Sequence, residues 1–347
     1  MTGMNDRGRK WKRFKAAAAV LGVVLLAGAA GVTVHLYRQR KAQEAEIAAR
    51  QHSLEEPEPF LAENIIEYDG KKYRRNSYVK AILCIGVDRS GLGEKTTTGF
   101  GGQSDGLFLL AQDTARNTVK ILMIPRDTMT RITLTDLSGN VLGKDIQHLT
   151  LAYAYGDGRE LSCEYTVEAV SELLGGLAID HYMAVDTDSI SVLNDGVGGV
   201  TVTIEEPGLA SRDPELKLGE TVTLKGKQAE TFVRYRDIHQ DNTALFRMDR
   251  HQQYMEGFFT ALKKKAAEDD KILIRLLDSI QDHMVTDMQK DQYLKAALDV
   301  LNTQQLGSGD FYTLPGSGVT TARYDEFYVD QEAMIPVILD LFYREIE

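Results

Sequence analysis

The chain has 347 residues, 43% of them hydrophobic and 26% charged, an ordinary balance for a globular protein. Its formal charge of −11, from 51 acidic and 40 basic residues, sets aside a general nucleic-acid binder. Two cysteines, Cys84 and Cys163, are too few for a disulfide scaffold or a cysteine zinc site.

Residues 1–15 form a basic tail, with Arg7, Arg9, Lys10, Lys12, Arg13 and Lys15 against Asp6 alone. Ala16 to Leu36 follows, 21 residues without Asp, Glu, Lys or Arg. At about 1.5 Å per residue such a helix spans about 31 Å, close to the hydrocarbon thickness of a bilayer. The basic tail then stays cytoplasmic, and everything beyond Leu36 is extracytoplasmic. The alternative is a cleaved signal peptide ending near Ala27-Gly28-Ala29, but the apolar run continues well past that point. Residues 37–65 read as a charged stalk, broken by Pro57 and Pro59.

From residue 66 to 347 the pattern is that of one α/β domain. Val79 to Val87 is a nearly continuous apolar run, suited to a strand buried on both faces. Leu107–Ala111 and Thr118–Ile124 read as two more strands, joined by a turn at Asp113 to Asn117. Cys163–Leu174 has helical periodicity, while Cys163 itself is assigned to a turn. His181–Val185 and Val200–Ile204 read as strands. Helices are expected at 225–235, 247–265, 270–282, 290–301 and 330–344. Strands interleaved with helices indicate a layered α/β fold.

Several chemistries are excluded. Gly93-Glu94-Lys95-Thr96 lacks the glycine spacing of a phosphate loop, and no Gly-x-Ser-x-Gly elbow exists. The seven histidines include no i, i+4 pair with a glutamate, against a zinc hydrolase. Leu314 to Gly318 resembles a wall-sorting signal, but no apolar span and basic tail follow it. What remains is a set of acids and arginines at strand ends, where α/β sheets collect ligands. Asp88 follows the first buried strand, Asp105 opens the second, and Arg126 ends the third. Arg234 and Arg236 would share one face if extended, and Arg247 and Arg250 follow. Two carboxylates with several arginines suit a magnesium ion carrying a diphosphate.

The order of these motifs resembles the LytR-CpsA-Psr (LCP) family. They are Gly86-Val87-Asp88, Ser104-Asp105, Ile124 to Thr128, Leu149 to Gly156, Asp195 to Val200, Val233 to Arg236 and Arg247 to Arg250. The resemblance implies an αβα sandwich around a central mixed β-sheet, preceded by one transmembrane helix. It implies a membrane-anchored transferase that moves a teichoic acid or capsule-like glycopolymer from a polyprenyl-pyrophosphate carrier to peptidoglycan, through a phosphodiester. Asp88 and Asp105 would hold Mg2+ and, with Arg126, form the catalytic set. Arg126, Arg234, Arg236, Arg247, Arg250 and His251 would bind the pyrophosphate, and apolar strands and helices would wall the lipid tail. A non-catalytic polyprenyl-phosphate sensor and a lipid-carrier pyrophosphatase are the alternatives. The chain departs from the family pattern at Gln103, where Arg is common, and at Gly106, where Thr is common. His148 and His251 stand where Lys and Gln are frequent; both are expected as neutral pocket residues that could make diphosphate binding pH-dependent. No bond is expected between the two cysteines.

Overall fold

The computed structural model describes residues 65–236, 243–303, 306–321 and 324–346. The expected tail, membrane helix and nearly all of the stalk lie outside them. In chain order, the first elements are β1 (Ile66–Tyr68), β2 (Lys71–Arg75), β3 (Val79–Val87), β4 (Ser104–Asp113) and β5 (Thr118–Met123). A hairpin of β6 (Met129–Thr135) and β7 (Val141–His148) leads to α1 (Glu160–Leu173), β8 (His181–Val185) and α2 (Asp188–Gly196). Next come β9 (Thr201–Thr203), β10 (Thr221–Thr223), α3 (Lys227–Arg234), α4 (Thr243–Glu268) and α5 (Ile272–Ser279). The chain ends with β11 (Met284–Thr286), α6 (Lys290–Asn302), β12 (Phe311–Thr313), β13 (Gly316–Thr320), β14 (Asp325–Val329), α7 (Gln331–Phe342) and β15 (Tyr343–Ile346).

The central sheet has the order β11-β8-β3-β4-β5-β12. It is mixed: β3 runs parallel to β8 and antiparallel to β4, and β12 runs parallel to β5. The strand period of two sorts β3 between two cores. Ala81, Leu83, Ile85 and Val87 join α1 and α7 residues such as Val170 and Ile338 in one apolar cluster. Ile82 and Cys84 face the other way, against Leu273 and Leu277 of α5 and Tyr293 of α6. The turn between β4 and β5 is set by Asp113, whose Oδ1 accepts from the N–H groups of Ala115 and Arg116, both at 2.9 Å.

Some details differ from the sequence reading. Cys163 lies inside α1, fully buried, and not in a turn. It and Cys84 are both free. Burial pushes the Cys84 thiol up to about 12, which makes it an inert core group. The last helix stops at Phe342, because Tyr343 to Ile346 pairs as a strand with β2. Leu314 is buried and its N–H donates to the Met123 carbonyl at 2.9 Å, and Gly316 to Gly318 already pair with β14 as the start of β13, so Leu314 to Gly318 is extended structure of the fold and not a turn. Among the described residues, no helix is long and apolar enough to cross a membrane.

Candidate active site

The acids and arginines meet at the end of the sheet where β3 finishes and β4 starts. A bulge between Gly86 and Val87 shifts the register there. Asp88 follows directly; its N–H donates to the Gln103 carbonyl at 3.0 Å, and its Oδ1 accepts from the Gln103 N–H at 2.6 Å. No further hydrogen bond from a described residue reaches its second oxygen. Gly102 permits this approach: at φ +87° a side chain is strained, and a Cβ would stand 2.9 Å from Val87 Cγ1.

Asp105, the second residue of β4, lies between two guanidinium groups. Arg126 Nη1 pairs with its Oδ1, and Arg247 Nη1 donates to its Oδ2 at 3.0 Å. Arg247 Nη2 also donates to the Asp105 backbone carbonyl at 3.1 Å. Arg126 is aimed by the turn after β5, where the Thr128 hydroxyl donates to the Pro125 carbonyl at 2.6 Å. Its Nε donates to Asp127 at 3.1 Å. Arg247 projects from α4 and is only 5% exposed. Burial, and then repulsion from Arg126, bring its pKa down to about 9, so it remains charged at neutral pH. Arg236 and Arg250 add to the same positive field.

Asp88, Asp105 and Arg247 line a cavity of about 200 Å³ between the sheet and α4, and Arg126 reaches it only through Asp105. Asp88, Asp105, Arg234 and Arg247 give it one charged end. The remaining walls are largely apolar, with Phe108, Val185, Ile190, Val233 and Met255. The spacing of Arg247, His251 and Tyr254 puts all three on one face of α4. A charged mouth on an apolar interior is the complement of an anionic headgroup on a hydrocarbon tail.

The other expected site residues separate. Arg234 and Arg236 do not share an extended face, because α3 includes Arg234 and only then gives way to extended backbone at Tyr235. Arg234 lines the cavity and pairs with Glu230 one helical turn back at 2.7 Å. Arg236 instead reaches Asp325, at 3.1 Å, on β14. Arg250 is buried and pairs with Glu206, and it donates to the carbonyls of Phe232, at 3.0 Å, and Tyr235. It does not line the cavity; it pins the end of α3 against α4. His251 does line it, with Nε2 at 3.1 Å from the Val233 carbonyl, which makes Nε2 the protonated nitrogen. Burial, and then Arg247, press its pKa down to about 3. The expected pH sensing by His251 near neutrality is thereby corrected: the ring is a neutral wall. His148 Nε2 contacts the Asp325 carbonyl at 3.0 Å, beside the strand that holds Arg236.

Sequence reasoning missed the acids that hold this frame. Asp186 at the end of β8 lines the cavity and accepts from Gly91 N–H at 2.9 Å, Ser189 N–H at 3.0 Å and His283 Nδ1 at 2.7 Å. With Asp188 and His283 it brings one donor atom each within 4.8 Å, but those bonds already occupy it as an anchor for the 88–103 loop. Asp127 and Asp325 orient Arg126 and Arg236.

The profile of the LytR_cpsA_psr family matches residues 32–337. The chain belongs to this family. It is 30% identical over 239 residues to the polyisoprenyl-teichoic acid–peptidoglycan teichoic acid transferase TagU of Halalkalibacterium halodurans, covering 66% of this chain and 70% of that protein. In fold it is similar to protein gbs0355 from Streptococcus agalactiae, with a TM-score of 0.61 and 21% identity over 76% of this chain and 87% of that one. It is likewise similar to a structure of TagT bound to LI-WTA, with a TM-score of 0.57 and 20% identity over 76% and 90%.

Two of the family-like motifs turn out to be scaffolding. In Leu149 to Gly156, Tyr153 is fully buried and its hydroxyl donates to the Gly158 carbonyl at 2.9 Å. In Asp195 to Val200, Gly199 at φ +97° lets the chain turn tightly from α2 into β9; a Cβ there would stand 2.8 Å from the Leu224 carbonyl oxygen.

Proposed function

We propose that this protein transfers a glycopolymer from a polyprenyl-pyrophosphate carrier to peptidoglycan, with the cavity holding the start of the lipid and the arginines holding its pyrophosphate. The observation that carries this reading is the Arg126–Asp105–Arg247 cluster, of which Asp105 and Arg247 line a cavity with largely apolar walls. The name of the TagU relative, a transferase of polyisoprenyl-linked teichoic acid to peptidoglycan, supports it.

In the reaction an acceptor hydroxyl attacks the phosphorus that bears the glycan. The bond from that phosphorus to the bridging oxygen breaks, and polyprenyl monophosphate leaves with its electron pair. Arg126 and Arg247 would take up charge on the phosphate oxygens through charge-assisted hydrogen bonds, in a site where water is scarce. Arginine suits this better than lysine because its planar fork grips two oxygens at once. Asp105 is already engaged by both arginines, so Asp88, with an oxygen to spare, is the carboxylate that would take the hydroxyl's proton.

The donor set also fits magnesium, which commonly takes one or two carboxylates together with waters and phosphate oxygens. Asp105, freed when the diphosphate draws Arg126 and Arg247 away from it, would hold the ion together with Asp88, and the ion would supply further neutralisation of the diphosphate. We also place the catalytic domain outside the membrane, tethered by residues 16–36; protease added to intact protoplasts should digest the domain, and its protection would overturn that topology.

Mass spectrometry of lipid co-purified with the full chain tests the ligand class. Polyprenyl phosphate or pyrophosphate is expected in the wild type and should be depleted in Arg247→Ala. Equal lipid in both proteins would contradict the arginine-gripped headgroup.

A further inference from the structure

Four exposed apolar side chains belong to two segments that the fold ties together beside the active site. Phe100, in the loop between β3 and β4, and Leu137, Val141 and Leu142, at the tip of the β6–β7 hairpin, are 61–74% exposed. The Thr98 hydroxyl donates to that of Thr135 at 3.1 Å, and Thr135 in turn donates to the Tyr155 carbonyl at 2.6 Å. Gly99 N–H bonds the adjacent Ala154 carbonyl at 2.8 Å, so loop and hairpin rest on one support. Phe100 stands three residues before Gln103, whose N–H holds Asp88, and three residues span at most about 11 Å.

The hairpin tip is built to leave water. Asp136 Oδ1 accepts from the N–H groups of Ser138, at 2.8 Å, and Asn140, at 2.9 Å. The N–H groups of Asp136 and Gly139 also bond within the turn, both at 2.9 Å. Backbone satisfied in this way can approach hydrocarbon at little cost. Asp136 carries the one charge between 136 and 143, and its carboxylate is bonded inside the turn. The flanking lysines are paired, Lys144 with Glu168 at 2.9 Å and Lys95 with Asp157 at 2.8 Å. The tip therefore offers apolar contact and not charge.

Four such side chains expose on the order of 500 Å², short of the roughly 800 Å² per partner in a stable protein–protein interface. A bilayer needs no matching surface, only apolar groups that enter its boundary layer. Residues 37–64, between the expected membrane helix and the first described residue, reach about 100 Å at most, so a tether alone does not set the height of the site above the membrane. We propose that Phe100 and the hairpin tip dock on the lipid surface, entering the boundary of headgroups and acyl chains and holding the Asp88 end of the site at the level where a membrane lipid presents its phosphate. The purpose of this contact, though not the contact itself, rests on the lipid-pyrophosphate reading given above.

The test uses the full chain in phosphatidylcholine vesicles, with a polarity-sensitive fluorophore on Ser138→Cys at the tip or on Ile274→Cys of α5, across the sheet. The wild type, whose Cys84 and Cys163 face the core, is the labelling control. Lipids carrying a shallow doxyl spin label should quench the probe at 138 and not at 274, equally at low and high salt. The double variant Leu137→Glu/Leu142→Glu, at exposed positions the fold does not use, should lose this quenching. Transfer from a long-chain polyprenyl donor in the vesicles should then fall roughly tenfold or more, while transfer from a farnesyl-linked donor in solution stays unchanged. An unquenched probe at 138, quenching that high salt abolishes, or a double variant that uses both donors as the wild type does would overturn the docking. A quenched tip in a wild type that uses neither donor would uphold the docking and overturn the transfer reading instead.

Discussion

Replacing Asp105 with asparagine keeps the shape of the side chain and removes the one charge that sits between Arg126 and Arg247. Arg247 is nearly fully buried, and the remaining acid at this point, Asp127, contacts Arg126 through Nε. Breaking a buried ion pair by removing one partner costs about 3–5 kcal/mol. The Asp105 side chain is 23% exposed, so water relieves part of this, and a loss of about 2–3 kcal/mol is expected. For a domain of this size that is a fall in Tm of roughly 4–6 °C. Inorganic pyrophosphate should reverse the order of effects. In the wild type the anion competes with Asp105 for both guanidinium groups, whereas in Asp105→Asn it takes the place of the missing charge. A ligand at about one hundred times its Kd stabilises by about 2.7 kcal/mol, enough to recover most of the loss. Circular dichroism melts of the full chain, with and without pyrophosphate and with chloride as the control anion, provide the assay. A variant that melts with the wild type, or equal pyrophosphate shifts in both proteins, would refute the claim that Asp105 stands in the anion's place.

Arg234 is half exposed and, among the described residues, pairs only along its own helix, so Arg234→Ala should move Tm by no more than about 2 °C. It should nevertheless weaken a soluble prenyl diphosphate by roughly tenfold or more in titration calorimetry. Arg250→Ala should do the opposite, destabilising by about 3–5 kcal/mol because Glu206 and two carbonyls lose their partner, with unchanged affinity per folded molecule. His251 has a folded pKa near 3 against 6.5 for the free group, so the unfolded chain binds the proton first. Its stabilising contribution is complete above about pH 6.5 and is lost by about 1.4 kcal/mol per unit as pH falls toward 3. His251→Gln, which retains a donor for the Val233 carbonyl, should flatten that slope in denaturant titrations between pH 6.5 and 4; an unchanged slope would show that the ring is not held neutral.

Legibility in the sequence followed local signal. β3, β4 and β5 announce themselves because alternate residues face two apolar cores, and Asp113 marks the turn between the last two. The β6–β7 hairpin does not, because Val141 to Asp145 is solvent-exposed and carries no burial pattern to read. Asp88, Asp105, Arg126 and Arg247 could be picked out as charges at strand ends and on a helix face, and the fold gathers them. Arg250 has the same chemistry, yet it turns to Glu206, 44 positions away in sequence. Arg236 similarly meets Asp325 across 89 positions. Such partners are chosen by long-range packing, which no short window contains.

The central claim is chemical transfer, and one reaction tests it most directly. The purified full chain is incubated with Mg2+, a polyprenyl-pyrophosphate-linked glycan and soluble peptidoglycan strands, and the products are resolved by mass spectrometry. The account predicts a glycan joined to peptidoglycan through a phosphodiester, together with polyprenyl monophosphate, and neither product in Arg247→Ala. Glycan phosphate released to water without the peptidoglycan adduct, or donor recovered intact, would contradict it.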